Sequence, residues 1–310
     1  ARAFWEGILF QGERIVGGQP VYALGRVWPN GVWFYYPLAL LLKTPLPVLF
    51  LLVAALIFIV KKRAFQQILP LVLPMAVFGT VVSVSALQLG HRFLLPLLPF
   101  VFGLAGQAAT ALASPLRGRR QVVAWVVVGL LVGWLAFNAA AIYPHHLSFF
   151  NELIGGPANA DRYLVDANLD WGQDLPALRT LMEERGLDFV HLGYFGTAVP
   201  GAYGIHYWPA PGFLRFVGGS ESMAFNPYSP DPGWYAISRT SLRQGMVLDH
   251  HDLYTFFRPR TPEARAGYSI DLYHVDYDPS TPVVRAVVQG ARIADVPAEQ
   301  LGWQEGRRLV

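Results

Sequence analysis

Four apolar stretches, at 46–60, 68–87, 93–113 and 122–142, dominate the first half of the chain, and beyond 142 the pattern turns to short alternations of apolar and polar residues. Each stretch approaches the length an α-helix needs to cross a hydrocarbon core of about 30 Å, the first only if extended back through Pro45 or Lys43. Lys61, Lys62 and Arg63 follow the first stretch, and Arg117, Arg119 and Arg120 follow the third. Short basic loops stay cytosolic, so both clusters are expected inside, with the 88–92 loop and everything after Ile142 outside. The fold class expected is a multi-span α-helical membrane bundle of about four spans followed by an extracytoplasmic α/β domain. Residues 1–45 read as an extracytoplasmic loop with interfacial helices, 46–142 as transmembrane helices and 143–310 as the α/β domain. A multi-pass protein of the inner or cell membrane follows from that organisation.

Within the first 45 residues, Trp5, Tyr22, Trp28, Trp33, Tyr35 and Tyr36 are the residue types that settle at headgroup level. Residues 32–42 fit either an interfacial helix or the start of a kinked span, interrupted by Lys43, Pro45 and Pro47. Pro70, Pro74, Pro96 and Pro99 lie inside spans and are expected to shape helices, not to do chemistry. In the polar half, 163–166, 189–194, 234–238 and 268–275 are strand candidates. The segment 174–185 reads as a helix ended by Gly186, and a second helix is expected near 248–257. The stretch 198–232 reads as loop, and the last thirty residues offer only a weak strand signal at 283–288. Alternating strands and helices suggest a small sheet covered by helices.

Charge sharpens the division. Basic residues outnumber acidic ones by nine in residues 1–150, where only Glu6 and Glu13 are acidic, and acidic outnumber basic by six in 151–310. The net charge of +3 hides that asymmetry. No basic stripe lies on a soluble module, so a nucleic-acid partner is not indicated. The chain has no cysteine, which excludes thiol catalysis and cysteine-ligated zinc. A domain of about 165 residues can bury sufficient core without disulfides. The sequence opens at Ala1 without an initiator Met or a signal-like n-region, and the aromatic 1–45 segment is expected outside. On that basis the chain reads as the C-terminal part of a longer protein.

Three segments hold candidate chemistry. Gln88–Leu–Gly–His91–Arg92 sets a His and an Arg at the outer mouth of the third stretch, where an Arg can grip a phosphate by paired hydrogen bonds. Interfacial anchoring is the plainer reading of both, as snorkelling is of Lys43. Around Tyr143, His145, His146 and Asn151, paired histidines suggest metal, but adjacent side chains point apart and no third ligand is evident, which favours a structural seam. The run Asp166, Ala167, Asn168, Leu169, Asp170, Trp171, Gly172, Gln173, Asp174 resembles a calcium loop only superficially, with Trp171 where Gly belongs and Ala177 where Glu belongs. It reads either as a strand end feeding a helix stabilised by Asp170 and Asp174, or as a ligand site of Asp166, Asn168, Asp170, Trp171, Gln173 and Asp174. Trp171, Tyr194, Tyr203, Tyr207 and Trp208 are either core or a sugar-stacking platform.

Several of these segments carry a resemblance. The stretch 25–47 with Trp33–Phe–Tyr–Tyr36–Pro and Lys43–Thr–Pro45–Leu–Pro47, then Gly90–His91–Arg92–Phe–Leu–Leu–Pro96, Tyr143–Pro–His145 through Asn151–Glu152, and Tyr163–Leu–Val–Asp166 through Gln173–Asp174, resembles bacterial membrane glycosyltransferases of family 39, the protein O-mannosyltransferase-like group. The likeness covers about residues 20–180 and fades beyond, apart from 266–270. It implies the GT-C architecture and sugar transfer from a polyprenyl-phosphate donor to a protein or glycan acceptor on the outer face, in the lipid bilayer. Transfer requires a carboxylate to activate the acceptor hydroxyl and cationic groups or a divalent metal at the departing phosphate. Lys43, His91 and Arg92 are expected at that phosphate. Family members place the base in an acidic first outer loop. Glu6 and Glu13 lack that paired pattern, so the base is expected upstream of Ala1 and this chain alone is expected to be inactive. The competing reading is a non-catalytic membrane-anchored module that binds an envelope glycan or protein. A transporter component fits less well, because few polar residues line the spans.

Overall fold

The computed structural model describes residues 5–7, 12, 17–62, 65–113, 116–210, 225–249, 253–277, 283–284 and 308–309. They form two compact units, Ala1–Asn168 and Leu169–Val310. Residues 143–168, expected with the polar domain, cluster with the helical unit.

In the first unit residues 5–7 are helical, and a hairpin follows of β1 (Val21–Ala23) and β2 (Arg26–Trp28), paired antiparallel around Leu24 and Gly25, both at positive φ. No strand was expected in this segment. Strands of three residues leave too little alternation to read, and the turn lacks the usual Asn or Asp. Helix α1 (Tyr35–Lys43) follows, then α2 (Leu46–Lys62), α3 (Phe65–Val84), α4 (Leu98–Ala113) and α5 (Arg119–Ala141). A 3-10 turn, His91–Leu97, runs directly into α4.

Two helical stretches, His91–Ala113 and Arg119–Ala141, are long and apolar enough to cross a membrane, and Tyr35–Lys43 with Leu46–Lys61, bent by 113°, makes a third if it acts as one broken span. Among the described residues two or three candidate spans are shown, of the four expected. Ile68–Val84 forms a shorter apolar helix. Outward faces carry Leu56, Val60, Val77, Val81, Val126, Leu130 and Phe137, all exposed, a surface suited to hydrocarbon and costly in water. Inward, Val48, Val101 and Ala105 pack together, as do Ala55, Ile59 and Ala108, so small residues let the helices approach closely.

The bend at Thr44 and Pro45 frees carbonyls that a helix would have used. Buried Asn151 answers them: its Nδ2 donates to Leu41 O (2.6 Å) and Thr44 O (2.8 Å), and its backbone N–H donates to Leu42 O (2.9 Å). The break is thereby satisfied without water, as an apolar environment demands. The strand expected at 163–166 shrinks to one bridge between Leu164 and Ala23, after which Asp166–Asn168 turns as a 3-10 segment.

The second unit is a five-stranded mixed sheet in the order β4–β3–β5–β7–β6. Its strands are β3 (Val190–Gly193), β4 (Tyr207–Pro209), β5 (Gly233–Ser238), β6 (Ala264–Ala266) and β7 (Ile270–Val275). β3 runs parallel to β4 and β5, whereas β7 is antiparallel to β5 and β6. Alternation splits the core. Val190, Leu192, Ala236, Ile270 and Leu272 pack on Leu175, Leu178 and Met182 of α6 (Leu175–Glu184). Tyr235, Ile237, Tyr273 and Val275 face Leu242, Leu253, Tyr254 and Phe257 on the other side.

The helix expected near 248–257 instead spans Arg239–Asp249, α7, joined to β5 without a loop, and residues 253–259 form turns. Its polar first turn, Arg–Thr–Ser, hid it from an apolar-periodicity reading. Of the weak signal at 283–288, Val283–Val284 pairs parallel with Arg308–Leu309, and 285–288 lie outside the described residues.

Candidate functional site

In the helical unit, sequence-distant polar groups converge on Asn168. The sharp start of the His91 turn requires Gly90 at φ +85°, where a Cβ would press on Ala167 at 3.0 Å. His91 then donates its backbone N–H to Asn168 Oδ1 (2.9 Å), and Asn168 Nδ2 donates to Tyr35 Oη (2.8 Å) and Val165 O (3.2 Å). Lys43 closes the group from the end of α1. Its Nζ donates to Asn168 O (2.5 Å) and Leu147 O (2.6 Å) and lies 4.6 Å from the Phe150 ring centre. Two of its three N–H groups are thus committed to carbonyls, but its charge is not neutralised by them.

Arg92 is exposed, with its guanidinium 5.8 Å from the Phe93 ring centre. Asp166, at φ +59°, takes a backbone conformation uncommon for a non-glycine residue, and its Oδ1 accepts from Ala167 N–H (2.6 Å). Burial pushes its carboxyl up to about 6, against the opposing pulls of the Ala167 hydrogen bond and the Arg92 charge. His91 Nε2 is buried and meets no hydrogen-bond partner among the described residues. The cluster thus places Lys43 and an imidazole nitrogen without a partner among the described residues at Asn168, with exposed Arg92 next on the turn and its charge felt by Asp166.

Of the expected ligand run, Asp166 and Asn168 belong to this cluster, whereas Asp170, Trp171, Gln173 and Asp174 belong to the sheet unit and form a latch. Asp170 Oδ1 accepts from Gly172 N–H (3.1 Å) and its Oδ2 from the Ser238 hydroxyl. Asp174 Oδ2 accepts from Tyr268 N–H (2.9 Å), Ser269 N–H (3.0 Å) and Ser269 Oγ (2.8 Å). Gln173 folds back, accepting from Trp171 N–H and donating to Leu169 O.

Asp174 stands at the N-cap of α6, makes no capping hydrogen bond, and ties the β6–β7 turn through its Oδ2. Burial drives the Asp170 carboxyl up to about 7, opposed by the Ser238 and Gly172 hydrogen bonds and reinforced by the Asp174 charge. The aromatic platform disperses: Tyr194 is buried, Trp171 meets Phe195 edge-on at 5.2 Å, and Trp208 stands exposed on β4.

No group of three or more His, Asp or Glu suited to a metal occurs among the described residues. His145 and His146 sit at a 3-10 turn, with the His146 ring edge-on to Tyr143 at 5.9 Å. Sequence reasoning missed the parts played by Gln88 and Asn151. Buried Gln88 donates to Val32 O (2.7 Å) and accepts from Val32 N–H (3.0 Å), fastening the entry to α1. A lone amide beside an apolar stretch was the available signal for it. Glu152 likewise accepts from Trp134 Nε1 and Asn138 Nδ2, both at 2.9 Å, and anchors its turn to α5. No family model matches the chain, and no curated protein or solved structure matches it.

Proposed function

We propose that the chain supplies the donor-phosphate site of a membrane glycosyltransferase that uses a polyprenyl-phosphate-linked sugar. The observation that carries the reading is that Lys43 and the backbone of His91 meet at Asn168, with Arg92 the next residue of the same turn, at the start of an apolar helix. A lipid-linked phosphate needs fixed positive charge beside a hydrocarbon-facing wall, and this arrangement offers both. In the transfer, the acceptor hydroxyl gives its proton to a carboxylate and its oxygen bonds to the sugar C1. The bond from C1 to the phosphate oxygen breaks, and the polyprenyl phosphate leaves as an anion. Lys43 and Arg92 lower the energy of that anion by charge. Asn168 fixes their supports, holding Lys43 through its carbonyl and the His91 turn through its amide.

Residues 1–45 hold no acidic pair of the family's kind, so the reading assigns donor binding to this chain and leaves base catalysis unassigned. Work at the outer face of the cell membrane, on a protein or glycan acceptor with mannose-like donors, belongs to the same proposal.

The test is sugar transfer in membranes that contain the full-length protein, supplied with radiolabelled polyprenyl-phosphate sugars. Arg92→Ala should depress transfer through loss of a charge-assisted contact worth roughly 1.5–3 kcal/mol. Undiminished transfer in that variant would remove Arg92 from the site. Absence of transfer in wild type with every donor would favour the membrane-anchored binding module.

A further inference from the structure

We propose that Glu152, held against the end of α5, seats the primary ammonium of a lipid headgroup of the phosphatidylethanolamine class. Helix α5 is long and apolar enough to cross a membrane and ends at Ala141. The chain then turns at His146–Ser148 and again at Glu152–Ile154, a 3-10 turn whose N-cap Asn151 accepts from Leu153 N–H (3.2 Å). Asn151 is itself fastened to the α1–α2 break, which fixes where Glu152 begins. Glu152 Oε1 accepts from Trp134 Nε1 and Asn138 Nδ2, both at 2.9 Å. Trp134 and Asn138 lie one turn apart near the end of α5, so both donors come from one side of the helix.

Those two bonds engage one carboxylate oxygen. Among the described residues Glu152 makes no ion pair and no hydrogen bond through Oε2. The residue is exposed, and the surface beside it is apolar. Phe50 is 52% exposed, Phe137 67% and Leu153 58%, and the Phe50 ring lies 6.0 Å from that of Trp134. A carboxylate at the rim of a hydrocarbon-facing surface is costly without a positive partner. The two neutral donors from α5 reduce that cost but leave the charge in place.

The partner that fits is a cation that resides at headgroup level and carries apolar tails. Trp134 is the residue type that settles at that level. A primary ammonium brings N–H donors and a positive charge to the carboxylate, the stronger class of hydrogen bond. Its acyl chains can lie along Phe50, Phe137 and Leu153. An anionic headgroup is repelled by Glu152, and a quaternary ammonium carries the charge without an N–H. The inference is independent of the donor-phosphate reading, since it uses none of Lys43, His91 and Arg92.

The test is native mass spectrometry of the full chain released from micelles that contain phosphatidylethanolamine and phosphatidylglycerol in equal amounts. Wild type should retain phosphatidylethanolamine preferentially, and Glu152→Gln should bind it about tenfold more weakly, the equivalent of one charge-assisted hydrogen bond. Gln keeps an oxygen for Trp134 Nε1 and Asn138 Nδ2, so the variant should melt with wild type in lipid-free detergent. A Glu152 that only ties its turn to α5 would leave lipid retention unchanged in that variant. Lipids N-methylated step by step to phosphatidylcholine test wild type without any substitution and should be retained less as each N–H is lost. Equal retention in wild type and Glu152→Gln would overturn the proposal, as would a preference for phosphatidylglycerol or equal retention along the methylation series.

Discussion

At the residue scale, the buried carboxylates divide by task. Asp170 lies in the sheet core with its carboxyl raised to about 7, far above the ordinary Asp value. A folded-state pKa above the unfolded one means that the folded chain binds the proton more tightly. The stability from this group is complete below about pH 4 and is lost as pH rises through 7. Thermal unfolding of the sheet unit should therefore shift to lower temperature between pH 5 and pH 8. Asp170→Asn, which imitates the neutral acid, should flatten that slope; an unchanged slope would show that another group sets it. Asp170→Ala leaves Ser238 and the Gly172 N–H without their acceptor and should cost about 1–3 kcal/mol in denaturant unfolding. Neither role was legible in the sequence. The spacing of Asp166, Asn168 and Asp170 suggested one ligand site, but the left-handed turn at Asp166 and the partition at Asn168 send these side chains to different neighbours.

At the element scale, the broken helix at Thr44 depends on a residue more than a hundred positions away. Asn151 supplies three hydrogen bonds to carbonyls freed around the break. Asn151→Ala should destabilise the helical unit by about 2–4 kcal/mol, read as a lowered midpoint in detergent thermal melts, because it deletes two buried side-chain bonds at once. Full stability in that variant would mean that the break is satisfied otherwise. The interruption itself was plain in Lys43, Pro45 and Pro47, since proline cannot continue a helix. Its repair was not, because long-range pairing of an amide with carbonyls leaves no local pattern. In the sheet unit, Gly172→Ala would aim a methyl group at the Tyr194 hydroxyl from a backbone at φ +88°. A loss of more than about 1 kcal/mol in urea unfolding is expected. The strands were legible wherever alternation ran five or six residues, as at 233–238 and 270–275. The α7 start was hidden because its buried face there is polar, with Ser238, Arg239, Thr240 and Ser241 all buried.

At the scale of the whole molecule, a helical unit with apolar outer faces and a mixed-sheet unit share one chain. The division into an apolar and a polar half was plain in the hydropathy, whereas the number of spans was not, since length and composition leave the bent α1–α2 pair open between a broken span and a re-entrant loop. The cysteine-free sequence makes the expected sidedness directly measurable. A single cysteine at Leu89 should react with an impermeant maleimide in intact cells, and one at Gly118 only after permeabilisation; the reverse pattern would invert the topology. The central claim, that Lys43, His91 and Arg92 receive a lipid phosphate, is tested most directly by titrating the full-length protein with citronellyl phosphate, a short polyprenyl phosphate, in a phosphate-free detergent. Wild type should bind it, and Arg92→Ala should weaken binding roughly ten- to a hundredfold, the equivalent of one charge-assisted contact. Equal affinity in the two proteins would contradict the account.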